Sequence, residues 1–271
     1  MSDILVTGGT GHLGRFFVPG LREAGVRPMR LGRSEACELR GDLTGPIDHD
    51  LSRFEVLIHA AHPMRGARPD APEAPALIDA SVGALARLLG AMPALRRIVL
   101  VSSTVAHRPG DVYGVSKRLD EDLARLHGAD VLALRISSVY GPRATKERAL
   151  ARFLRTALAG ETPVVTGSDG PGTDYVHVED AARAVALAAL SEATGIVHVT
   201  ANAAANPLEA ARAALRAVGR DDDPEHRTGP AWRGAGPVDN EDAFRALGWR
   251  PRYDLTEGLR SYAEWMRADR T

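Results

Sequence analysis

The stretch ILVTGGTGHLGR, residues 4–15, limits the fold of this chain more than any other. An apolar run ends at Thr7, Gly8, Gly9, Gly11 and Gly14 follow, and apolar residues then recur at helical spacing. Strand, glycine turn and helix form the opening unit of a parallel sheet. Gly9, Gly11 and Gly14 match G-x-G-x-x-G, and Gly8, Gly11 and Gly14 match G-x-x-G-x-x-G. Side chains are unwelcome in such a turn when a pyrophosphate lies against backbone N–H groups at a helix N-terminus, where the dipole favours anions. A bound dinucleotide is therefore implied, with Gly8, Gly11, His12 and Leu13 in contact with it. The plainer alternative is a turn that only lets helix and strand pack closely.

The first half of the chain continues the alternation of short apolar runs and helix-length segments. Strands are expected at 4–7, 27–31, 56–60, 98–102 and 131–136, and helices at 13–24, 76–90 and 112–126. That alternation describes a parallel sheet covered on both faces. Pro19 removes a backbone donor from the first helix and should bend it. After Gly141-Pro142 the rhythm changes: a helix at 148–159, a glycine-rich loop, a strand at YVHV, an alanine-rich helix from Glu179, and helical patterns at 208–218, 239–247 and 255–266. Residues 1–141 are expected to form the dinucleotide-binding domain, with segments from about 174–200 returning to its sheet, and 142–271 mainly a smaller substrate-binding lobe. The acidic run DDDPEH from Asp221 reads as a solvated turn.

Charge and cysteine usage exclude several classes of function. With 34 Lys plus Arg against 35 Asp plus Glu, the chain lacks the basic excess of a nucleic-acid binder. Cys37 is the single cysteine, which fits a reducing cytoplasm, and no Cys/His spacing suggests zinc. The N-terminus does not read as a secretory leader, and no apolar segment approaches the roughly 20 residues that cross a bilayer, so no membrane partner is expected. His59 and His62 at a strand end invite a metal reading, but without a nearby carboxylate in the sequence they read as packing or loop residues.

Which dinucleotide is bound depends on the end of the second strand. There RLGRSE offers Gly32 and Arg33, with Arg30 just before, where an acidic residue would select the ribose hydroxyls of NAD. A guanidinium pairs bidentately with a 2′-phosphate, so NADP is favoured and NAD is retained as the alternative. In GDLTG, Asp42 and Leu43 stand where the adenine would lie, and Ala60 and Ala61 of HAAH are small enough to let a cofactor approach.

Chemistry is suggested by YGVSK, in which Tyr113 and Lys117 lie four positions apart and share one face of a helix. A phenol of pKa about 10 must fall by about 3 units, roughly 4 kcal/mol, to exchange protons readily at neutral pH. A neighbouring ammonium and a cationic nicotinamide both act in that direction. Upstream, VLVSSTV ends a strand in Ser102, Ser103 and Thr104, hydroxyls at the carboxyl edge of the sheet.

Taken in order, the glycine turn, GDLTG, HAAH, SST, YGVSK, LRISSVYGPR, DYVHVEDAARAV and the ending ALGWRPRYDLTEGLRSYAEWMR resemble the extended short-chain dehydrogenase/reductases, the NAD-dependent epimerase/dehydratase family, over nearly the whole chain. The resemblance implies a Rossmann-type doubly wound sheet with a smaller C-terminal substrate lobe. It implies that Ser103 holds the substrate oxygen, Tyr113 moves the proton, and Lys117 binds the nicotinamide ribose and lowers the tyrosine pKa, with Thr104 as a helper. A homodimer built on the helices at 76–90 and 112–126 is implied as well.

Departures from the family pattern narrow the reading. Dehydratases of the family carry Asp-Glu after the catalytic hydroxyl, where this chain has Thr104 and Val105, so dehydration is disfavoured. Ser138, Thr173 and Ser81 replace an Asn, an Arg and an Asn of the family pattern, which weakens a nucleotide-sugar assignment. Arg143, Lys146, Arg148, Arg152 and Arg155 crowd the start of the second lobe, either as a diphosphate site or as the basic face of an amphipathic helix, and Ser138 and Arg143 join Ser103 and Thr104 as candidate substrate contacts. His177 reads as a packed histidine. The leading expectation is an NADP-dependent oxidoreductase that reduces a ketone on a small polar substrate, possibly a keto-sugar nucleotide. A sugar-nucleotide epimerase and a non-catalytic NADP-sensing regulator are the alternatives.

Overall fold

The computed structural model describes residues 3–63, 67–144, 148–167, 170–230, 232 and 234–269. Seven parallel strands form the main sheet: β1 (Ile4–Thr7), β2 (Met29–Gly32), β3 (Leu39–Arg40), β4 (Val56–His59), β5 (Arg97–Ser103), β6 (Asp130–Ile136) and, later in the chain, β10 (Gly195–Val199). Their spatial order is β10-β6-β5-β4-β1-β2-β3. The chain therefore runs outward from β1 to β3, then crosses back to lay β4 on the other side of β1. At such a reversal the loops after the two central strands part and leave a crevice at the carboxyl edge. Gly8 follows β1 and Ala60 follows β4, so both line it.

Side-chain alternation along each strand feeds two cores. Ile4 and Val6 of β1, Ile58 of β4, Val99 of β5 and Leu132 and Leu134 of β6 pack with α1 (Gly14–Glu23) and α6 (Val178–Leu190). Leu5, Leu57, Ile98, Leu100 and Ala133 point the other way, against α3 (Ala84–Ala91) and α4 (Val112–Leu126). The period of two, apolar on both faces, is what a covered parallel sheet requires. α1 includes Pro19, which forgoes one ladder hydrogen bond, yet Phe17, Val18 and Leu21 on its inner face are almost fully buried and hold it in place. β2 starts at Met29, later than the expected 27, because Pro28 has no N–H to give to the ladder.

One expectation needs correction here. α2 (Ala74–Ile78) passes through a π-helical turn, Asp79–Gly83, into α3, and the stretch Ala74–Ala91 is by length and composition apolar enough to cross a membrane. Its apolarity has another outlet: Leu85 and Leu88 have no exposed surface and belong to the second core.

The second lobe has its own core. α5 (Ala149–Leu158), α7 (Pro207–Ala217) and α9 (Leu255–Ala268) pack Phe153, Leu154, Ala211, Ala214, Leu259 and Ala263 together. Asn206 and Asp254 cap α7 and α9 through capping boxes. Two small sheets attach to it, β11-β9-β7 from Ala204–Ala205, Thr173–His177 and Ser138–Tyr140, and β12-β8 from Glu225–Arg227 and Val164–Thr166. DDDPEH is thus only partly a turn, since Glu225 and His226 pair in register with Val164 and Val165. α8 (Glu241–Leu247) covers β10, and the fully buried Trp249 beyond it donates from its indole N–H to the Asp180 carbonyl at 2.9 Å.

Candidate active site

The glycines of the opening turn have different reasons to be glycine. A Cβ on Gly8, whose φ is +72°, would lie 2.5 Å from the Ala60 carbonyl carbon, and one on Gly14 would lie 2.3 Å from the Gly8 carbonyl oxygen. Both positions are required by the chain's own packing. Gly11 is exposed, and its Cβ would meet only the Gly8 oxygen, at 3.2 Å. Gly11 is therefore the position where close packing inside the protein does not explain the missing side chain. His12 is half-buried, and its Nε2 lies 2.9 Å from the Pro142 carbonyl oxygen, tying the turn to the segment after β7. Burial holds its pKa below the ordinary value. Leu13 precedes α1 and packs on the first core.

At the second strand the two arginines part company. Arg30 is committed: its Nε and Nη2 donate to the two oxygens of Glu38 at 2.9 and 2.8 Å, and the Arg30 amide donates to Glu38 as well. These bonds hold the Glu38 carboxyl down at about 2. The Arg33 side chain is 82% exposed, and its nearest carboxylate, Asp42, is 4.0 Å away. Asp42 accepts from the Thr44 amide and hydroxyl at 3.0 and 2.9 Å, which lowers its pKa and fixes the loop after β3. The Leu43 carbonyl accepts from Arg87 Nε at 2.9 Å. Of the two arginines considered for a 2′-phosphate, only Arg33 has its guanidinium available.

Adjacent strands β1, β4 and β5 bring Gly8, Ala60, Ala61 and Ser103 to one edge. The Ala60 amide donates to the Thr7 carbonyl and the Ala61 amide to the Thr7 hydroxyl, which holds both there. Ser103 ends β5, and Thr104 opens a 3₁₀ turn, Thr104–Ala106. The Asp111 side chain caps α4 through the Gly114 amide at 2.9 Å, setting the first turn of the helix that carries Tyr113 and Lys117. The Ser103 side chain is the neighbour that pulls the Tyr113 phenol down. Lys117 is buried, and its Nζ donates to the Val101 carbonyl at 2.7 Å.

The charges here depart from the sequence expectation. Burial pushes the Tyr113 phenol above its ordinary value, with the Ser103 side chain and the Arg148 charge pulling the other way; Lys117 is not among the groups acting on it. Burial also brings Lys117 down to about 8. The expected lowering of the tyrosine by Lys117 is thus absent, because the ammonium points to β5.

Ser138 and Arg143 are not gathered into this cluster. Ser138 starts β7 and pairs in register with Tyr175, while Arg143 is exposed with φ +60°. Lys146 lies outside the described residues. Of the basic group, Arg148 at the start of α5 is the member whose charge reaches His12, Tyr113 and Tyr175. His177 is packed between Tyr140 and Tyr253, with ring centroids 5.5 and 4.2 Å away.

Residues 4–202 match the family model described as NAD dependent epimerase/dehydratase family. The chain belongs to that family. A dTDP-glucose 4,6-dehydratase of Actinoplanes sp. is 28% identical over 99% of this chain and 98% of its own length. A 3-diazoavenalumate denitrifying reductase of Streptomyces sp. is 29% identical over 92% of this chain and 96% of its own. The solved structure of MoeE5 in complex with UDP-glucuronic acid and NAD superposes with a TM-score of 0.84 at 28% identity, covering 99% of this chain and all of that one.

Membership brings a nicotinamide dinucleotide, and the residues present fit one. The N-terminus of α1 has no side-chain cap and no acidic residue in its first turn, so no side chain there competes with an anion drawn by the helix dipole. Exposed Gly11 stands in front of that terminus, and Ala60 and Ala61 present only methyl groups beside it. Two further side chains lie near this edge: His62, read from HAAH as a packing or loop residue, and Asp120, which no motif picks out. His62 meets the Tyr113 ring edge-on at 5.1 Å, and Asp120 is fully buried one turn beyond Lys117. A carboxylate on the inner face of α4, three positions after Lys117, was the available signal.

Proposed function

We propose that this protein is an NADP-dependent ketoreductase acting on a small polar ketone, with a keto-sugar nucleotide as the favoured substrate class. The observation that carries the reading is the placement of the Ser103 hydroxyl next to a half-buried Tyr113 at the carboxyl edge of β5, beside the uncapped start of α1. Ser103 and Tyr113 would hold the substrate carbonyl oxygen between two hydroxyl donors. Burial keeps the phenol protonated at neutral pH, the state a proton donor to that oxygen needs. The nicotinamide supplies the electron pair as hydride. Lys117 gives one of its three protons to Val101 and keeps two for a ribose hydroxyl. The turn at Gly8, Gly11, His12 and Leu13 would receive the pyrophosphate, Asp42 and Leu43 would flank the adenine, and Arg33 would take the 2′-phosphate.

Dehydration is disfavoured by Thr104 and Val105, which offer no acid or base next to Ser103. Thr104 is assigned a supporting hydroxyl, and Ser138 and Arg143 the outer wall of the substrate site. A second reading, sugar-nucleotide epimerisation, uses the same Ser103, Tyr113 and Lys117 and is favoured by the likeness to MoeE5, whose structure holds UDP-glucuronic acid and NAD. A regulator that binds NADP without turnover is the weaker proposal, because Tyr113 and Lys117 are both present. A homodimer is proposed through α4, whose Val115 and Leu119 are each 41% exposed.

Mass spectrometry of small molecules released from protein purified without added cofactor, followed by NADPH-consumption assays on keto-sugar nucleotides and simpler ketones, tests the reading. Stoichiometric NADPH loss supports a reductase. Isomerised product without NADPH loss supports the epimerase. Binding of NADPH with no turnover of either substrate class returns the regulator.

A further inference from the structure

Behind Tyr113 and Lys117 lies a set of titratable side chains that the proposed reaction does not use. The side chain of His62, from the loop after β4, is 4% exposed, and that of Asp120 on α4 is wholly buried. His62 Nδ1 lies 3.0 Å from the Pro63 carbonyl oxygen, which only accepts, so Nδ1 carries a hydrogen. Nε2 faces Ser116 Oγ at 3.1 Å and Asp120 Oδ2 at 3.6 Å. Among the described residues, neither oxygen of Asp120 has a hydrogen-bond partner. With the Ser116 hydroxyl donating to the Tyr113 carbonyl at 2.9 Å, an unprotonated Nε2 and an ionised Oδ2 would face each other with lone pairs only, away from water. One proton between them removes the conflict, giving either imidazolium with carboxylate or imidazole with carboxylic acid.

The surrounding charges say what that proton controls. Two acids act on the buried Lys117 ammonium, Asp120 and Glu121. Glu121 is committed, receiving Arg135 Nε and Nη2 at 3.0 and 2.8 Å and the Ser102 hydroxyl. From β4, His59 faces Lys117 but is held by Thr7 Oγ1 at 2.8 Å, and burial lowers it to about 3. From the helix packed on α4, Asp79 is engaged by Arg87 at 3.0 Å. Asp120 is the acid left to balance Lys117. Burial raises Asp120 to about 7 against the pull of Lys117, and brings His62 down to about 2.

We propose that Asp120 and His62 share one proton and serve as positioning residues for Lys117, with the Asp120 carboxylate as the counter-charge that keeps the ammonium cationic beside Tyr113. The inference rests on the reading of Tyr113 and Lys117 as the reacting pair. When Asp120 takes up the proton, its hydroxyl turns toward His62 Nε2 and Lys117 loses its balancing charge. The charge behind the site is thereby coupled to pH near neutrality.

The test is an NMR titration of the full chain carrying aspartate labelled at the carboxyl carbon and ¹⁵N-histidine, with and without NADP⁺. Expected in the wild type is an Asp120 midpoint in the neutral range, with the His62 nitrogens reporting an Nδ1–H tautomer and shifting at the same midpoint. Lys117→Met should raise the Asp120 midpoint by about one unit or more, as loss of an adjacent opposite charge does. An Asp120 midpoint in the ordinary carboxylate range of about 4, or one that Lys117→Met leaves in place, overturns the proposal. The wild-type titration decides the first point even if the variant does not fold. A shift of the His12 amide, in the glycine turn, on adding NADP⁺ to the same sample reports separately on the cofactor site. Its absence would overturn the reading of that site while the Asp120 midpoint still stands as measured.

Discussion

Asp180 and Asp120 are both buried carboxylates on helices that flank the same sheet, and the protein treats them in opposite ways. Asp180 Oδ2 accepts from the Arg252 and Tyr253 amides at 2.8 and 3.0 Å, and Oδ1 from Arg183 at 3.1 Å. Those bonds fasten the segment after Trp249 to α6. Asp174 does similar work in the second lobe, receiving the Ser137 hydroxyl and the Ala201 amide, each at 2.8 Å. Asp120 has no hydrogen-bond partner among the described residues; His62 and Lys117 lie near it, and the Glu121 charge opposes its ionisation. Where a buried carboxylate is satisfied it is an anchor, and where it is not, its charge is held at a cost that packing alone does not explain. Of these three carboxylates, the unsatisfied one is that behind Tyr113.

Variants that separate the two regions follow from this contrast. Tyr113→Phe, in the unsatisfied region, should lower NADPH-dependent turnover by about 10²–10⁴-fold while leaving the urea unfolding midpoint nearly unchanged. Asp180→Ala should do the reverse, with about 3–5 kcal/mol lost in urea unfolding, because Arg183 and two amides are left without their acceptor. Equal stability losses at Tyr113 and Asp180 would erase the distinction.

Asp120→Asn sharpens the contrast through pH. The folded-state value of about 7 lies above the ordinary 3.8, so between those values the folded protein holds a proton that the unfolded chain has released. Wild-type stability should therefore fall relative to Asp120→Asn as pH rises from 3.8 to about 7, and the difference should level off above that. Chemical unfolding of both proteins across that window measures it. A constant difference would mean that Asp120 does not titrate there.

Smaller effects are expected at the edge of the sheet. Arg33→Ala should weaken NADPH binding by about 1.5–3 kcal/mol, with NADH affinity moving far less, as read by calorimetry. Glu38→Gln should cost less than about 1 kcal/mol near neutral pH, since the Arg30–Glu38 pair is partly exposed. The Glu38 carboxyl has its value lowered to about 2, so the pair's contribution is present above the ordinary 4.5 and is lost as pH falls through about 2.

These residues also mark how far the sequence could be read. The strands at β1, β4, β5 and β6, the glycine turn and the Tyr113–Lys117 pair were legible because each depends on local spacing: a period of two, a break at glycine, one helical turn. Arg30 and Arg33 looked alike in sequence, and only the strand register that brings Glu38 beside Arg30 separates them. His62 and Asp120 meet across 58 positions of chain, a pairing that no local pattern reports. The direction of the Tyr113 shift was missed for the same reason, since the rule for a Tyr and Lys on one helix face says nothing of Val101 capturing the ammonium. β7, β8, β11 and β12 have two or three residues each, too few for periodicity to register.

The central claim is that an electron pair from the nicotinamide and a proton from Tyr113 reach one carbonyl group. Turnover of a keto-sugar nucleotide with NADPH deuterated at the transferable nicotinamide position tests it most directly. The account expects one NADPH consumed per product and deuterium on the carbon that bears the new hydroxyl, with both lost in Tyr113→Phe. Product formed without NADPH consumption, or without deuterium at that carbon, would contradict it.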